Sequence, residues 1–141
     1  ETYLLRPGKT DDAIEVASRE NGVIRLEERD NDPYAELSGA NLIMATMAQS
    51  MFMKESENLA SIIQAELDKR IDSKNRGVKQ AGFYVLIGAS MPNVLVESGF
   101  LSNPNEERNL KKASYRQKIA EGLYSALLSF KESREQVLAE G

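Results

Sequence analysis

The chain has 141 residues, of which 41% are apolar and 28% charged, with a net charge of −4 and a pI of about 5.0. This length is enough for one domain with its own core, and the acidic balance argues against nucleic acid as a main partner. The absence of Cys and His excludes disulfides, thiolate chemistry and a zinc site of the usual kind within these residues. The sequence shows neither an apolar run long enough to span a membrane nor a signal peptide.

The N-terminal part predicts a strand followed by a helix. Residues 2–6 form a short apolar run typical of a strand. Thr10 is a good N-cap for the helix that follows. The pair Asn21-Gly22 is expected to end this helix, and residues 23–26 are expected to form a short strand or an extended segment.

A methionine-rich stretch occupies residues 40–53, where four of the five Met residues of the chain fall at spacings typical of a helix. A buried helix filled by adaptable side chains is the simpler interpretation. The alternative is a helix that docks reversibly on a partner or on an internal cleft. An ordinary amphipathic helix is predicted next, through Leu59, Ile62, Ile63 and Leu67.

Basic residues follow this helix. They predict a solvated helix end, and the alternative is a small basic rim for an anionic partner. They are Lys69, Arg70, Lys74, Arg76 and Lys79.

Two short apolar runs, residues 83–87 and 94–96, predict two buried strands separated by turn residues. Neither run alternates with polar residues, which is typical of a sheet covered on both faces. The second run ends at Glu97. Functional side chains collect at the carboxyl ends of strands in open α/β sheets, so Glu97 is the first candidate catalytic residue. The alternative is a strand-end carboxylate that only holds a turn.

Two helices are predicted to complete the chain. Asn103 is the expected N-cap of the first, with Pro104 at the first helical position and Glu106 reaching back as in a capping box. A second box at Ser114 is expected to open a long final helix that frays from about residue 132. Its predicted core-facing band consists of Tyr115, Ile119, Ala120, Leu123, Tyr124, Leu127 and Leu128. The order of elements predicts an α/β fold with a twisted, partly parallel sheet flanked by helices on both faces.

Two segments of the chain resemble the zinc-dependent N-acetylmuramoyl-L-alanine amidases, which cut bacterial cell-wall peptidoglycan. They are residues 76–86 (RGVKQAGFYVL) and residues 89–103 (ASMPNVLVESGFLSN), with supporting pieces at 1–4, 17–21 and 58–64. The resemblance spans nearly the whole chain. Its most specific part is the predicted strand that ends at Glu97 and is followed by a Ser-Asn-Pro sequence.

The resemblance implies hydrolysis of the amide between the lactyl group of muramic acid and the L-alanine of the stem peptide. Zinc would activate the attacking water, and Glu97 would take its proton and pass it to the leaving amine. The two His and one Glu that hold zinc in the family would precede Glu1. The chain is therefore expected to be a catalytic domain incomplete at its N-terminal side, without zinc or amidase activity when alone. The resemblance also implies a periplasmic or cell-envelope location.

Division-associated members of the family carry a regulatory insertion, and the resemblance places one at about residues 29–56 of an otherwise single domain, 1–141. In those members a helix covers the active site until an activator protein withdraws it, and an acidic side chain occupies a zinc coordination position. Glu36 is the first candidate for that inhibitory ligand, and Asp30 and Asp32 compete with it.

Other functions compete with the enzyme. The main alternative is a non-catalytic regulatory or peptidoglycan-binding module that kept the fold and lost the metal site. A nucleotide-binding α/β domain is disfavoured, because no Gly-rich phosphate loop follows a predicted strand. An incomplete sheet would also leave exposed edges through which the chain could form homo-oligomers.

Overall fold

The computed structural model describes residues 1–6, 11–27 and 51–140, and these three ranges contain three β-strands and four α-helices. The strands are β1 (Thr2–Leu5), β2 (Val78–Ala81) and β3 (Leu95–Val96). The helices are α1 (Asp11–Glu27), α2 (Met53–Asp68), α3 (Pro104–Lys111) and α4 (Ala113–Glu140). Among these described helices, none combines the length and apolar character that crossing a bilayer requires.

The three strands form one sheet in the order β2-β1-β3. Thr2 and Arg6 donate their backbone N–H groups to the carbonyl oxygens of Gly77 and Ala81, at 3.2 and 3.3 Å. Because the residue numbers of the paired positions increase in the same direction along both strands, β1 and β2 are parallel. The mixed α/β architecture and the strand at residues 2–5 are therefore as the sequence predicts.

Contacts divide the chain into two compact units, and the first comprises residues 3–56 and 79–95. Its core is an apolar cluster of five buried residues, Tyr3, Ala17, Ala81, Phe83 and Leu86. The rings of Tyr3 and Phe83 meet edge to face, with centroids 5.0 Å apart and planes at 81°. This geometry is favourable for aromatic pairs, so these two rings form the centre of the cluster.

Helix α1 does not end at Asn21-Gly22, and residues 23–26 are helical instead of extended. The side chain of Asn21 does not cap its own helix. Its Nδ2 donates to the carbonyl of Gly82 at 2.8 Å, and its Oδ1 accepts from the N–H of Tyr84 at 3.0 Å. The predicted helix end is therefore wrong: Gly22 lies within α1 and does not adopt the positive φ of a glycine that ends a helix.

The apolar run 83–87 does not form a buried strand. Tyr84–Leu86 is a 3-10 helix, and the side chains of Tyr84 and Val85 are 47% and 61% exposed. The strand lies earlier, at Val78–Ala81, where backbone groups pair with β1. That segment contains two polar residues and lacks the apolar run that indicated a strand, so the partner strand decides its conformation.

The second unit comprises residues 1–2, 57–78 and 96–141. Its buried apolar residues come mainly from α2 and α4, and they are Leu59, Ala60, Ile63, Leu67, Ile119 and Ala126. Helix α2 thus confirms the predicted amphipathic helix. A Cβ on Gly122 would lie 2.9 Å from Cδ2 of Leu67, so α2 and α4 approach closely at this position.

The buried face of α4 differs from the predicted band. Ile119, Gly122 and Ala126 are buried, whereas Tyr124, Leu127 and Leu128 are 65%, 55% and 41% exposed. At Gly122 the close approach to α2 leaves no room for a larger side chain. The helix also begins at Ala113, one residue before the predicted Ser114 cap, and continues past residue 132 to Glu140.

Residues 28–50 lie outside the described ranges. They include most of the methionine-rich stretch and most of the insertion predicted at 29–56, together with Asp30, Asp32 and Glu36. Thr10, the predicted N-cap of α1, is also outside.

Candidate active site

Glu97 directly follows β3 and is half-buried. Its backbone N–H donates to the carbonyl of Glu1 at 2.9 Å, and the amino group of Glu1 donates to the carbonyl of Glu97 at 3.2 Å. This exchange of two bonds is the pattern of antiparallel neighbours, so the sheet is mixed. It fixes the backbone of Glu97 at the end of a strand, where the sequence placed it.

Glu97 lines a cleft in the second unit. The cleft is small, with a volume of about 20 Å³, which is room for about one water molecule. Its lining combines charged, amide and hydroxyl groups with two apolar side chains from the end of α2 and the turn after it. The lining residues are Glu1, Gln64, Leu67, Asp68, Ile71, Ser73, Lys74, Asn75, Arg76, Glu97, Ser98 and Gly99. Glu97 therefore lies neither deep in packing nor on open surface.

Arg76 carries positive charge into this cleft. Its Nη2 donates to Oε1 of Glu106 at 2.6 Å, and its Cζ lies 4.8 Å from the ring centroid of Phe100. The hydrogen bond to Glu106 raises the pKa of the Arg76 guanidinium, and the carboxylates of Glu1 and Glu97 add to this effect. Arg76 thus contributes a permanent positive charge that interacts with Glu97.

Glu106 accepts three hydrogen bonds through its carboxylate. Besides Arg76, the N–H of Phe100 donates to Oε2 at 2.9 Å, and Nδ2 of Asn103 donates to Oε1 at 3.2 Å. The hydrogen bond from Arg76 is the main reason that the pKa of Glu106 lies below its ordinary value; burial opposes this shift and the Phe100 bond assists it. We call Arg76, Phe100, Asn103 and Glu106 the Glu106 cluster.

The start of α3 agrees with the predicted cap. Oδ1 of Asn103 accepts from the N–H groups of Asn105 and Glu106 at 3.0 and 3.4 Å, and Pro104 is the first helical residue. The predicted capping box is wrong in one respect. The carboxylate of Glu106 bonds the N–H of Phe100, whereas the N–H of Asn103 donates to the carbonyl of Phe100.

A chain of polar side chains also supports the lining of the cleft, through Gln64 and Asn75. The buried Thr2 donates from Oγ1 to Oε1 of Gln64 at 2.8 Å, and Nε2 of Gln64 donates to Oδ1 of Asn75 at 2.8 Å. The same Oδ1 accepts from the N–H of Gly77 at 2.9 Å. Gly77 has φ of +76°, a conformation that favours glycine, so this turn before β2 is held by both its backbone and the Asn75 amide.

The residues of the site do not fit a zinc ion. The described part of the chain contains no group of three His, Cys, Asp or Glu side chains that could hold a metal. The sequence has no His or Cys at all. Zinc sites in proteins are built mainly from nitrogen and sulfur ligands, so Glu97 and its acidic neighbour Glu1 do not form such a site.

Comparison with known proteins adds to this geometry. A family model for N-acetylmuramoyl-L-alanine amidase matches residues 23–129. The chain belongs to this amidase family. The matched range contains every lining residue of the cleft except Glu1, so most of the cleft lies within the part that matches the family.

Individual amidases are similar over parts of the chain. N-acetylmuramoyl-L-alanine amidase LytC of Bacillus subtilis is 39% identical over 75 residues, which are 53% of this chain and 15% of LytC. N-acetylmuramoyl-L-alanine amidase AmiA of Escherichia coli is 36% identical over 88 residues, which are 62% of this chain and 30% of AmiA. The B. subtilis protein YqiI is 36% identical over 101 residues, 71% and 47% respectively. The chain thus spans less than half the length of each of these relatives.

The sequence predicts the position of Glu97 at a strand end but does not predict the pairing of Arg76 with Glu106. The basic residues around Arg76 predict a solvated helix end. The partner of Arg76 lies 30 residues further along the chain, in the first turn of α3. Local patterns carry no signal for such a contact. The sequence marks Glu106 only as the acidic residue of the predicted capping box.

Proposed function

We propose that the domain is the peptidoglycan-hydrolysing part of an N-acetylmuramoyl-L-alanine amidase, and that Glu97 transfers the proton in its reaction. The substrate would be the amide between the lactyl group of muramic acid and the L-alanine of the stem peptide. The observation that carries the proposal is the position of Glu97, half-buried at the end of β3 and lining a cleft inside the matched family range.

The role of Glu97 follows from the bonds that must change. Water forms the new C–O bond to the amide carbonyl and loses a proton, which the carboxylate of Glu97 accepts. When the C–N bond breaks, the leaving amine needs a proton, and the protonated Glu97 supplies it. One carboxyl group therefore acts as base and then as acid, and it ends the cycle ionised.

Zinc belongs to the proposal only for the longer protein. A zinc ion would supply a Lewis acid that makes bound water a better nucleophile. The chain contains no His, so the two His ligands that the resemblance implies would come from residues outside it. The chain alone should therefore bind no catalytic zinc and show no amidase activity. Calorimetric titration of the chain with zinc tests this, and tight stoichiometric binding would contradict it.

The reaction class is tested on purified peptidoglycan with the full-length protein. Cleavage of the proposed bond releases one new L-alanine amino group for each lactyl carboxylate formed, and amino-terminal labelling of the products measures it. Glu97→Gln should abolish the release while leaving the zinc content of the protein intact. Release of reducing sugar ends instead of L-alanine amines would contradict the amidase assignment.

A non-catalytic module on the same fold is the competing function, and a parent protein without metal ligands upstream of Glu1 would favour it. That module would bind peptidoglycan without releasing amines, and Glu97→Gln would leave binding unchanged. Sedimentation of the protein with insoluble peptidoglycan, run beside the release assay, separates the two functions.

The region 29–56 is proposed to regulate the enzyme in the periplasm or cell envelope. Support comes from the resemblance to division-associated amidases, in which an activator protein acts on this insertion, and Glu36 is the first candidate for its inhibitory ligand. Deleting residues 32–50 from the full-length protein should raise basal activity. Unchanged activity would refute the proposed inhibition.

Self-association is proposed through β2 and β3, the edge strands of the described sheet. Sedimentation velocity over a range of concentrations measures it. A chain that stays monomeric at every concentration would contradict this idea.

A further inference from the structure

The loop that follows Glu97 is attached to α3 through one side chain. Glu106, in the first turn of α3, accepts from the N–H of Phe100 at 2.9 Å and from Nδ2 of Asn103 at 3.2 Å. The first of these bonds lies three residues after Glu97, and the second closes the loop at the N-cap of the helix. The path of residues 98–103 is therefore fixed at two points by the same carboxylate.

Gly99 shows how tightly this loop lies against α3. A Cβ added to Gly99 would lie 3.3 Å from Cδ1 of Leu110 and 3.4 Å from Oε2 of Glu106. The contact with Leu110 is tighter than an ordinary van der Waals contact, and the contact with Glu106 is at the short end of the ordinary range. An added Cβ would therefore press on the side chains of Leu110 and Glu106 and would require a shift of a few tenths of an ångström between the loop and α3.

Arg76 connects this attachment to the cleft. Its guanidinium lines the cleft together with Glu97, yet it pairs with Glu106, whose side chain is only 13% exposed. The same guanidinium lies over the ring of Phe100. A charge-assisted hydrogen bond and a cation–π contact thus hold one residue of the cleft wall against the loop that carries Glu97.

We propose that Glu106 is a positioning residue: through Phe100 and Arg76 it holds the loop 98–100 and thereby orients the carboxylate of Glu97. The inference rests on the proposed function, because it takes Glu97 to be the proton-transfer group. Glu106 does not line the cleft, so we assign it no contact with substrate there. Its lowered pKa keeps the carboxylate ionised at neutral pH, as its three donors require.

The test compares Glu106→Gln, Gly99→Ala and the control Glu107→Gln in the full-length protein. Glu107 is the next residue of α3, and its ion pair with Lys111 is largely exposed. Loosening the loop should lower kcat about 10- to 100-fold with KM nearly unchanged, because misplacement affects the proton transfer and not ground-state binding. Amide hydrogen exchange at Phe100 should become about tenfold faster or more. Glu107→Gln should change neither.

Each outcome decides a separate point. If Phe100 exchange stays at the wild-type rate in folded Glu106→Gln, Glu106 does not hold the loop and the inference fails. If exchange accelerates while kcat is unchanged in both variants, the loop does not orient Glu97 and the inference also fails. If Glu97→Gln retains full activity in the same assay, the proposed function fails instead, and Phe100 exchange still reports whether Glu106 holds the loop. Should Glu106→Gln not fold, Gly99→Ala decides, since it keeps every charge of the cluster.

Discussion

The apolar cluster around Tyr3 and Phe83 and the Glu106 cluster are stabilised in opposite ways. In the first, two aromatic rings meet edge to face among small aliphatic groups, and its stability comes from apolar area removed from water. In the second, one carboxylate satisfies a guanidinium, a backbone N–H and an amide. Apolar packing is not directional, so the first cluster can lose a methylene while its other contacts stay in place. The hydrogen bonds of the second cluster are directional, and we assign its function to their geometry. The clusters should therefore respond differently to truncation, pH and added bulk.

The largest effect is expected from Phe83→Ala. The ring of Phe83 is 2% exposed and packs on Tyr3, so its removal leaves a cavity. We expect the free energy of unfolding of the full-length protein to fall by about 3–5 kcal/mol, equally at pH 7 and at pH 4. Urea denaturation followed by circular dichroism measures it.

Tyr84→Ala is the matched control for Phe83→Ala. It removes an aromatic ring from the next position, where the side chain is 47% exposed, and should cost less than about 1 kcal/mol. Equal losses for the two variants would show that the described apolar cluster does not carry this stability.

A smaller effect that depends on pH is expected from Glu106→Gln. Removing the charge weakens hydrogen bonds to a charged group, and we expect a loss of about 1.5–3 kcal/mol at pH 7. The pKa of Glu106 is lowered in the folded protein, first by Arg76, so its contribution is present above the ordinary glutamate pKa of about 4.3. It disappears as pH falls through the lowered value.

The difference between wild type and Glu106→Gln should therefore be constant from pH 7 down to about 5 and shrink below about 4. Denaturation series at several pH values measure this difference. A difference that grows as the pH falls would refute the assigned ionisation of Glu106.

The smallest effects come from one substitution made at two glycines. Gly122→Ala places a Cβ 2.9 Å from Cδ2 of the buried Leu67, an overpacking that costs about 1–3 kcal/mol. Better helix propensity offsets about 1 kcal/mol, which leaves a net loss near 1 kcal/mol. Gly22→Ala, in α1 with no atom within 4 Å of the new Cβ, should instead stabilise by about 0.5–1 kcal/mol. Thermal melts of both variants test the signs, and stabilisation by both would contradict the close approach of α2 and α4.

The elements that the sequence predicted well are those with local causes. The strand at residues 2–5, the amphipathic helix α2 and the Asn103-Pro104 start of α3 each depend on residues a few positions apart. The site residue predicted from position in a strand, Glu97, lies at a strand end in a cleft.

The elements that the sequence predicted wrongly depend on distant partners. The backbone pairing of β2 with β1 places the strand at Val78–Ala81 instead of 83–87. Asn21 contacts residues 82–84 from within α1, and the local pair Asn21-Gly22 does not mark the end of this helix. The buried face of α4 follows the approach of α2 at Gly122. The pairing of Arg76 with Glu106 also depends on residues distant in sequence, and no local pattern predicts it.

The most direct test of the central claim is the ratio of kcat on purified peptidoglycan between wild-type full-length protein and Glu97→Gln, with folding of both checked by circular dichroism. Glutamine keeps the size of the side chain but cannot accept or return the proton. The account predicts a ratio of about 10² to 10⁴. A folded Glu97→Gln protein that cleaves at the wild-type rate would contradict it.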